Sequence, residues 1–440
     1  MSSVLAEPAP TPVFGRFTGQ LRNNPKLDLW IAWYVMVVFY LLFGVVFVLM
    51  TKVMPPPGPD WSTERIVRWF AETRSGLLNG FAIIFAVTGM AALCNAIISY
   101  SMWRMSVSKA FAYAYLIIYS LAAIPGMLFC AILLTVGALR PERDPKLIVW
   151  LYEAALLTFV GTMGIFLLGT LVWLIAVLLD KNRVLPAWFG FLNICNLLTE
   201  VVVAPAWTAR RGAFSWNGSI AFWVDTLVFV IYTCAFILVL RKMIERENFG
   251  TGPLPVSAQG VLSDKLAGAW SFILIECGTF SAYFIVYMLY RMHDPVTFGA
   301  SQLRLNANFG VANTLILLAS SWQIARSVHS ARAGNFAVAW RQALLTVLLG
   351  AAFVISKLSD WYLGIQSGYS FATNDFFAFY FFLTGIHVVH VLLGFIFMGV
   401  GMQRLRAPAG SNQALEIAAI YWHMVDFLWV VIFALLYVMR

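Results

Sequence analysis

Five polar side chains that can exchange protons or bind metals stand within the apolar second half of the sequence. They are Glu276, His387, His390, His423 and Asp426, each in a run of hydrocarbon and aromatic residues. Imidazole and carboxylate groups can ligate a metal, carry a proton, or bridge helices by hydrogen bonds. An ionised side chain in hydrocarbon costs at least about 2.5–3.5 kcal/mol, so polar groups there need a partner or a function. These five residues are our candidate site residues.

Their spacing predicts which of them face the same way. His387 and His390 are three residues apart, and so are His423 and Asp426, which places each pair on one helix face. We expect Asp426 to find its hydrogen-bond donor in His423. Glu276 lies about eleven residues into its apolar segment, near the bilayer middle. It is a candidate proton-handling group, and a structural hydrogen bond between helices is the alternative.

Metal binding by these residues is one interpretation, since helix bundles hold metals with such donors on facing helices. Imidazoles inside membrane bundles more often bridge helices by hydrogen bonds, and we favour that role for His387, His390, His423 and Asp426. We predict no catalytic residue and no metal site in this chain. The first 292 residues contain no histidine, which excludes a histidine-ligated haem or copper there. Two histidines on one face cannot bind opposite sides of one haem, so this is not a haem-bearing subunit.

The elements that position these residues are membrane-spanning helices. The chain has 440 residues, of which 61 % are hydrophobic and 11 % are charged. Runs of about 20 apolar residues indicate transmembrane helices. The composition predicts an all-α polytopic membrane bundle with about eleven spans. These are 30–51, 78–102, 110–137, 148–179, 186–205, 219–240, 265–290, 307–328, 337–358, 376–402 and 413–439.

A linker divides the predicted spans into six and five. Residues 241–264 are charged and then rich in Gly, Pro and Ser, which is a linker composition. The division gives a cytoplasmic segment over 1–29, a six-helix domain of unknown function over 30–240, and a five-helix domain over 265–440. If the N-terminus is cytoplasmic, the loops on the cytoplasmic side hold slightly more basic residues than those on the outside. We therefore predict a cytoplasmic N-terminus and an outside C-terminus.

Charge and cysteine content exclude other classes of protein. The net charge is +9, but no basic stripe is interleaved with exposed aromatic residues, so nucleic acid is not an expected partner. The five cysteines are odd in number and show no C-x-x-C spacing. We interpret them as small apolar side chains inside helices.

Four motifs over residues 262–440 resemble subunit III of the haem–copper oxidases, including its nitric-oxide-reductase-associated branch. They are "IECGTFSAYF", which contains Glu276, then "ANTLILLASSW", "TGIHVVHVLLG" and "YWHMVDFLWVVIFALLY". They occur in the family's order, one in each of four helices. The sequence departs from the family in "ISKLSDWYLG", where Lys357 stands at a Gln position and Asp360 at a Glu position.

The resemblance implies an accessory subunit of a respiratory oxidase in a bacterial plasma membrane. Such a subunit holds no redox metal, packs against subunits I and II, and carries lipids between its helices. It supports oxygen access and proton uptake, with Glu276 as a protonatable group. An accessory protein of nitric oxide reductase has the same fold and stays open. A transporter or sensor built on the first six helices is the alternative from another class, although we find no inverted repeat between the halves.

Overall fold

The computed structural model describes residues 24–122, 124–140, 142–161, 163–250, 261–406 and 412–439, and every regular element within them is helical. The prediction of an all-α membrane bundle is confirmed. The α-helices are α1 (Leu27–Gly44), α2 (Thr63–Val87), α3 (Gly89–Arg104), α4 (Lys109–Ala122), α5 (Phe129–Leu139), α6 (Pro145–Gly161), α7 (Met163–Leu179), α8 (Ala187–Val202), α9 (Asp225–Arg246), α10 (Val261–His293), α11 (Pro295–Gln302), α12 (Ala307–Arg332), α13 (Phe336–Gln366), α14 (Asp375–Leu405) and α15 (Gln413–Phe433).

Eight helical stretches of the described chain are long and apolar enough to cross a membrane, against about eleven predicted spans. Three predicted segments account for the difference. Segment 78–102 falls on α2 and α3, which are bent by 44° and give a ninth span if counted together. Segment 148–179 forms α6 and α7, of 17 residues each, on either side of residue 162. Segment 307–328 forms α12, which is not among the eight.

The chain divides into two compact units. Unit 1 comprises the described residues of 1–57, 61–189 and 231–259, and unit 2 those of 58–60, 190–230 and 260–440. This differs from the division predicted at the linker over 241–264, because residues 190–230 pack with the later helices. In addition, α9 continues to Arg246 and α10 begins at Val261, so both ends of the predicted linker are helical.

Glycines bring two segments of unit 1 close together. A Cβ added at Gly76 would clash with the carbonyl oxygen of Met50, and one at Gly80 would lie 2.8 Å from the methyl group of Thr51. Small residues four apart allow such close helix packing in membranes. The sequence "GLLNG" of α2 therefore serves packing against the end of the first span.

A buried ion pair fixes the chain just after α9 in unit 1. Nε of Arg104 lies 2.9 Å from Oε2 of Glu247, whose residue is 2 % exposed. The other carboxylate oxygen of Glu247 accepts hydrogen bonds from the backbone N–H groups of Asn248 and Phe249, at 2.9 and 2.7 Å. Residues 247–249 of the predicted linker are thus held by specific bonds.

Trp422 of α15 is the central packing residue of unit 2. Its ring fills the space left by Gly350 of α13 and Gly394 of α14, where an added Cβ would lie 2.7 and 2.8 Å from ring atoms. Its indole N–H donates to the hydroxyl of Ser320 of α12 at 3.0 Å. Four helices, α12 to α15, are therefore packed around one indole.

Short polar residues define where several of these helices begin. The side chain of Asn374 accepts a hydrogen bond from the backbone N–H of Phe377 at the start of α14. Asp294 caps α11 in the same way, by accepting from Thr297. Bonds from the side chain and backbone of Thr297 hold the pKa of the Asp294 carboxyl below its ordinary value. Such caps satisfy N–H groups that have no partner within the helix.

Candidate functional site

Glu276 of α10 and His390 of α14 meet inside unit 2, where they are 3 % and 1 % exposed. Nε2 of His390 lies 3.2 Å from Oε2 of Glu276, and Nδ1 lies 2.7 Å from the carbonyl oxygen of Ile386. Tyr421 of α15 donates its hydroxyl hydrogen to the backbone carbonyl of His390 at 3.0 Å. Three helices therefore converge on this histidine. We call Glu276 and His390 the acid–imidazole pair.

The donors and acceptors around His390 determine how many protons the pair holds. The carbonyl of Ile386 can only accept, so Nδ1 of His390 must carry a hydrogen. If the imidazole is neutral, Nε2 accepts and Glu276 must donate as a carboxylic acid. If Nε2 also carries hydrogen, Glu276 accepts as a carboxylate. Both arrangements hold one shared proton along the 3.2 Å contact and both have zero net charge. A proton can change sides there without leaving a net charge in the bundle.

Aromatic and sulfur groups complete the surroundings of this pair. The ring of Phe280 stands edge-on to His390, with ring centres 5.0 Å apart. The thiol of Cys195, which is fully buried, interacts with the Glu276 carboxyl. The pair is thus enclosed by weakly polar groups, which strengthens the hydrogen bond between His390 and Glu276 relative to the same bond in water.

His387 lies one turn before His390 and has a different environment. It is fully buried, and neither of its ring nitrogens has a hydrogen-bond partner among the described residues. Its ring lies 5.4 Å from that of Phe353 and 5.2 Å from that of Trp429. His387 therefore packs as an aromatic ring between α13 and α15. The predicted helix-bridging hydrogen bond is not formed here.

His423 and Asp426 of α15 do not form the predicted pair. Nδ1 of His423 bonds instead to the hydroxyl of Ser321 of α12, at 2.8 Å. Asp426 is 4 % exposed, and neither of its carboxyl oxygens has a hydrogen-bond partner among the described residues. The hydroxyl of Ser321 bonds to Nδ1 of His423 and also interacts with the Asp426 carboxyl, without meeting hydrogen-bond geometry there. His423 thus joins α15 to α12 through Ser321, and Asp426 forms no hydrogen bond between helices among the described residues.

A second buried polar site surrounds Lys357 and Asp360 of α13. Their Nζ and Oδ2 atoms are 2.7 Å apart, with the side chains 0 % and 8 % exposed. Tyr380 of α14 donates to the same carboxylate oxygen at 2.6 Å, and Tyr437 beyond α15 donates to it at 3.1 Å. Nζ of Lys357 also lies 3.0 and 2.9 Å from these two hydroxyls. We call these four residues the ion-pair cluster.

The residues of the ion-pair cluster are not among the candidate site residues predicted from the sequence. Two of them, Lys357 and Asp360, depart from the family pattern. A signal for this cluster was present in the sequence. Lys357 and Asp360 are opposite charges three residues apart in an apolar helix, which places both on one face. Tyr380 and Tyr437 come from distant segments and carry no comparable signal.

Within the described ranges, no group of three or more His, Cys, Asp and Glu side chains is arranged to hold a metal ion. Both nitrogens of His390 are already engaged in hydrogen bonds. All five cysteines are free thiols, and Cys94, Cys130 and Cys195 are buried as expected. Cys277 is half-buried and Cys234 is exposed, which differs from the expectation for them.

Comparison with known proteins finds one matching family model and several relatives of this chain. A family model described as "Cytochrome c oxidase subunit III" matches residues 217–440. A "Cytochrome c oxidase subunit 3" of Heterololigo bleekeri is 28 % identical over 245 residues, covering 52 % of this chain and 92 % of that protein. A "Quinol oxidase subunit 3" of Bacillus spizizenii is 29 % identical over 202 residues, covering 44 % of this chain and 97 % of that protein. A "Cytochrome bo(3) ubiquinol oxidase subunit 3" of Buchnera aphidicola is 26 % identical over 179 residues, or 40 % and 94 % of the two chains.

The match is longer than the resemblance inferred from the motifs. It begins at residue 217, before the linker, rather than at 262. It therefore includes α9, which the predicted division assigned to a domain of unknown function. Both the acid–imidazole pair and the ion-pair cluster lie within the matched residues.

Proposed function

The chain belongs to the cytochrome c oxidase subunit III family, and we propose that it is the accessory membrane subunit of a respiratory haem–copper oxidase. The match over residues 217–440 is the observation that carries the proposal. In this role the chain binds no haem or copper itself and supports oxygen reduction by its partner subunits. Those partners are oxidase subunits I and II, with membrane lipids between the helices.

The interior of unit 2 supports a role without a redox centre in this chain. His390 uses both nitrogens in hydrogen bonds, and His387 is enclosed by two aromatic rings. His390 therefore keeps no ring nitrogen free for a metal, and His387 packs as an aromatic ring. Purified chain should contain no stoichiometric iron, copper or zinc. Elemental analysis showing one metal per chain, lost in His387→Ala, would contradict this part of the proposal.

Glu276 is the residue that we assign to proton handling in the complex. It shares one proton with His390, and the proton can change sides without leaving a net charge in the membrane interior. His423 holds α15 to α12 through Ser321, which is a structural role. The chain lies in a bacterial plasma membrane with its N-terminus in the cytoplasm and its C-terminus outside.

The named relatives favour an oxidase over nitric oxide reductase as the partner. The three described above are subunits of cytochrome c, quinol and ubiquinol oxidases. They use different electron donors, so the donor of this complex is left open. The large first unit precedes most of the matched residues, and we assign no chemistry to it.

Co-purification tests the proposal directly. The chain is isolated from its native membranes in mild detergent, and the proteins that accompany it are identified by mass spectrometry. We expect a haem–copper subunit I and a copper-bearing subunit II. A nitric oxide reductase core in their place would select the alternative accessory role. Isolation of the chain without any oxidoreductase would overturn the proposal and favour a transporter or sensor.

A further inference from the structure

Helix α8 of unit 2 packs against both helices that carry the acid–imidazole pair. It precedes the residues 217–440 that the family model matches. The ring centre of Phe191 on α8 lies 6.1 Å from that of Phe272 on α10 and 6.3 Å from that of Phe397 on α14. A helix that lies outside the match therefore borders the site.

One turn further along α8 and α10, a thiol meets the carboxyl of the pair. Cys195 follows Phe191 by four residues, and Glu276 follows Phe272 by four. The two helices belong to the fifth and seventh predicted spans, which run in the same direction, so a contact at one turn predicts a contact at the next. The Cys195 thiol is fully buried and interacts with the Glu276 carboxyl. The ring contact and the thiol–carboxyl contact thus agree on one register.

The other donors around Glu276 are directed elsewhere. The hydroxyl of Tyr421 donates to a backbone carbonyl of α14 at 3.0 Å. Tyr283, two turns beyond Glu276 on α10, interacts with the carboxyl through charge alone, and so does the neighbouring thiol of Cys277. Apart from the imidazole, the Cys195 thiol is therefore the donor that remains for this carboxyl within the described ranges. A thiol is a weak donor, and a carboxyl oxygen is able to accept from it.

The two arrangements of the shared proton differ in how they suit a low dielectric. With the proton on Glu276 both members of the pair are neutral, whereas with the proton on His390 a carboxylate faces an imidazolium. Burial away from water disfavours the second arrangement, because it contains charged groups. A donor to the carboxyl favours it, because a hydrogen bond to a carboxylate is roughly twice as strong as one to a neutral acceptor. The Cys195 thiol therefore opposes the effect of burial.

We propose that Cys195 is a positioning residue of the acid–imidazole pair, whose thiol donates a hydrogen bond to the Glu276 carboxyl and keeps the two positions of the shared proton close in free energy. This inference deepens the proposed function, since it rests on the proton-handling role assigned to Glu276. The proton moves between Oε2 of Glu276 and Nε2 of His390, and the thiol keeps its own hydrogen throughout. In this way α8 contributes to a site whose two members lie within the family match.

Infrared spectroscopy of the full chain, purified in detergent, measures where the shared proton lies. A protonated carboxyl has a C=O stretching band that a carboxylate lacks, and the band of Glu276 is identified in each protein by its loss in Glu276→Gln. Cys195→Ala removes the donor, so we expect the ratio of protonated to ionised Glu276 to rise by roughly two- to tenfold. Cys195→Ser retains a donor and should keep the ratio near that of wild type.

The matched control is Cys130→Ala, which removes another fully buried thiol, in α5 of unit 1. It should leave the Glu276 band unchanged. An unchanged band in Cys195→Ala, whether Glu276 is protonated or ionised in both proteins, would overturn the proposal. So would an equal change in Cys195→Ala and Cys130→Ala, since the effect would then come from a general loss of packing.

The S–H stretching band of Cys195 tests the hydrogen bond itself. This band is identified by its loss in Cys195→Ala, and its frequency falls as the acceptor of the thiol becomes stronger. In Glu276→Gln the acceptor is a neutral amide, so we expect the Cys195 band to move to higher frequency. A band that stays in place would show that the thiol does not donate to Glu276, and the proposal would fall.

These spectra need no partner subunit, so their outcome is separable from that of the proposed function. If both bands respond as expected but Glu276→Gln leaves the turnover of the oxidase complex unchanged, the positioning role of Cys195 stands and the proton-handling role of Glu276 falls. If the turnover falls but neither band responds, Glu276 handles protons without help from Cys195.

Discussion

The two buried polar sites of unit 2 show two ways of placing ionisable groups in a membrane. The ion-pair cluster holds the Lys357 and Asp360 charges 2.7 Å apart and adds two tyrosine hydroxyls. The acid–imidazole pair has one contact of 3.2 Å between its members. The first site neutralises two charges by many bonds. The second site carries no charged group when Glu276 holds the shared proton and donates it to the neutral imidazole of His390.

The difference suggests a division of roles between structure and proton exchange. Every bond to Asp360 in the cluster would be weakened by protonating it, so the site favours one fixed arrangement. The acid–imidazole pair has two arrangements of equal net charge. A fixed site is suited to holding α13, α14 and the end of the chain together. A site with two arrangements is suited to moving a proton.

The largest effect is expected from breaking the ion-pair cluster on one side. Lys357→Met leaves the Asp360 carboxylate buried without its counter-charge. Removing one partner of a buried pair destabilises by about 3–5 kcal/mol. We expect a loss of this size in the free energy of unfolding in detergent, measured by chemical denaturation.

The matched control for this variant removes both charges. Lys357→Met combined with Asp360→Leu leaves no buried charge and should recover most of the lost stability, because well-packed apolar residues can replace a buried pair with little cost. A double variant no more stable than the single one would show that the cluster does not act as a charge pair.

A smaller loss is expected from breaking the acid–imidazole pair. His390→Leu removes the partner of Glu276 but leaves no obligatory charge, since Glu276 can stay protonated. An unsatisfied buried polar group costs about 1–3 kcal/mol. The same denaturation measurement should place this variant between the wild type and Lys357→Met. A loss as large as that of Lys357→Met would indicate that Glu276 is ionised, and would remove the contrast between the two sites.

Glu276→Gln removes the acid but keeps its hydrogen bond, so it distinguishes a structural role of this residue from a role in proton exchange. In Glu276→Gln, the amide can still donate to Nε2 of His390, so stability should change by less than about 1 kcal/mol. The shared proton is absent, so we expect proton-coupled turnover of the oxidase complex to fall while assembly is unchanged. Turnover and proton pumping equal to wild type across the pH range would leave Glu276 with a structural role only.

The class of fold and the family could be predicted from the sequence, because both follow from local patterns. The motifs around Glu276 and His390 occur in family order, and apolar runs determine where most helices lie. The hydrogen-bond partners that these residues find on other helices could not be predicted in the same way. His390 bonds to Glu276, 114 positions away, and nothing in the spacing of α14 indicates which helix lies opposite.

The same limit explains the wrong expectation for Asp426. Spacing places His423 and Asp426 on one side of α15, but three residues correspond to a rotation of about 300°, not a full turn. This difference is enough for His423 to be exposed and to bond to Ser321, while Asp426 is buried without a partner. The compact units also divide elsewhere than at the predicted linker, because the linker composition at 241–264 is a local signal and the packing of residues 190–230 is not.

The smallest effect is expected at His387, where the substitution is the same as at His390. In His387→Leu the bundle loses ring contacts with Phe353 and Trp429, which are worth about 0.5–1.5 kcal/mol each. It also loses two buried nitrogens that have no partner among the described residues, and removing such groups is stabilising. The two effects oppose each other, so the free energy of unfolding should stay within about 1 kcal/mol of wild type. A loss exceeding that of His390→Leu would show that His387 has a polar partner in the assembled complex, since the chain itself supplies none among its described residues.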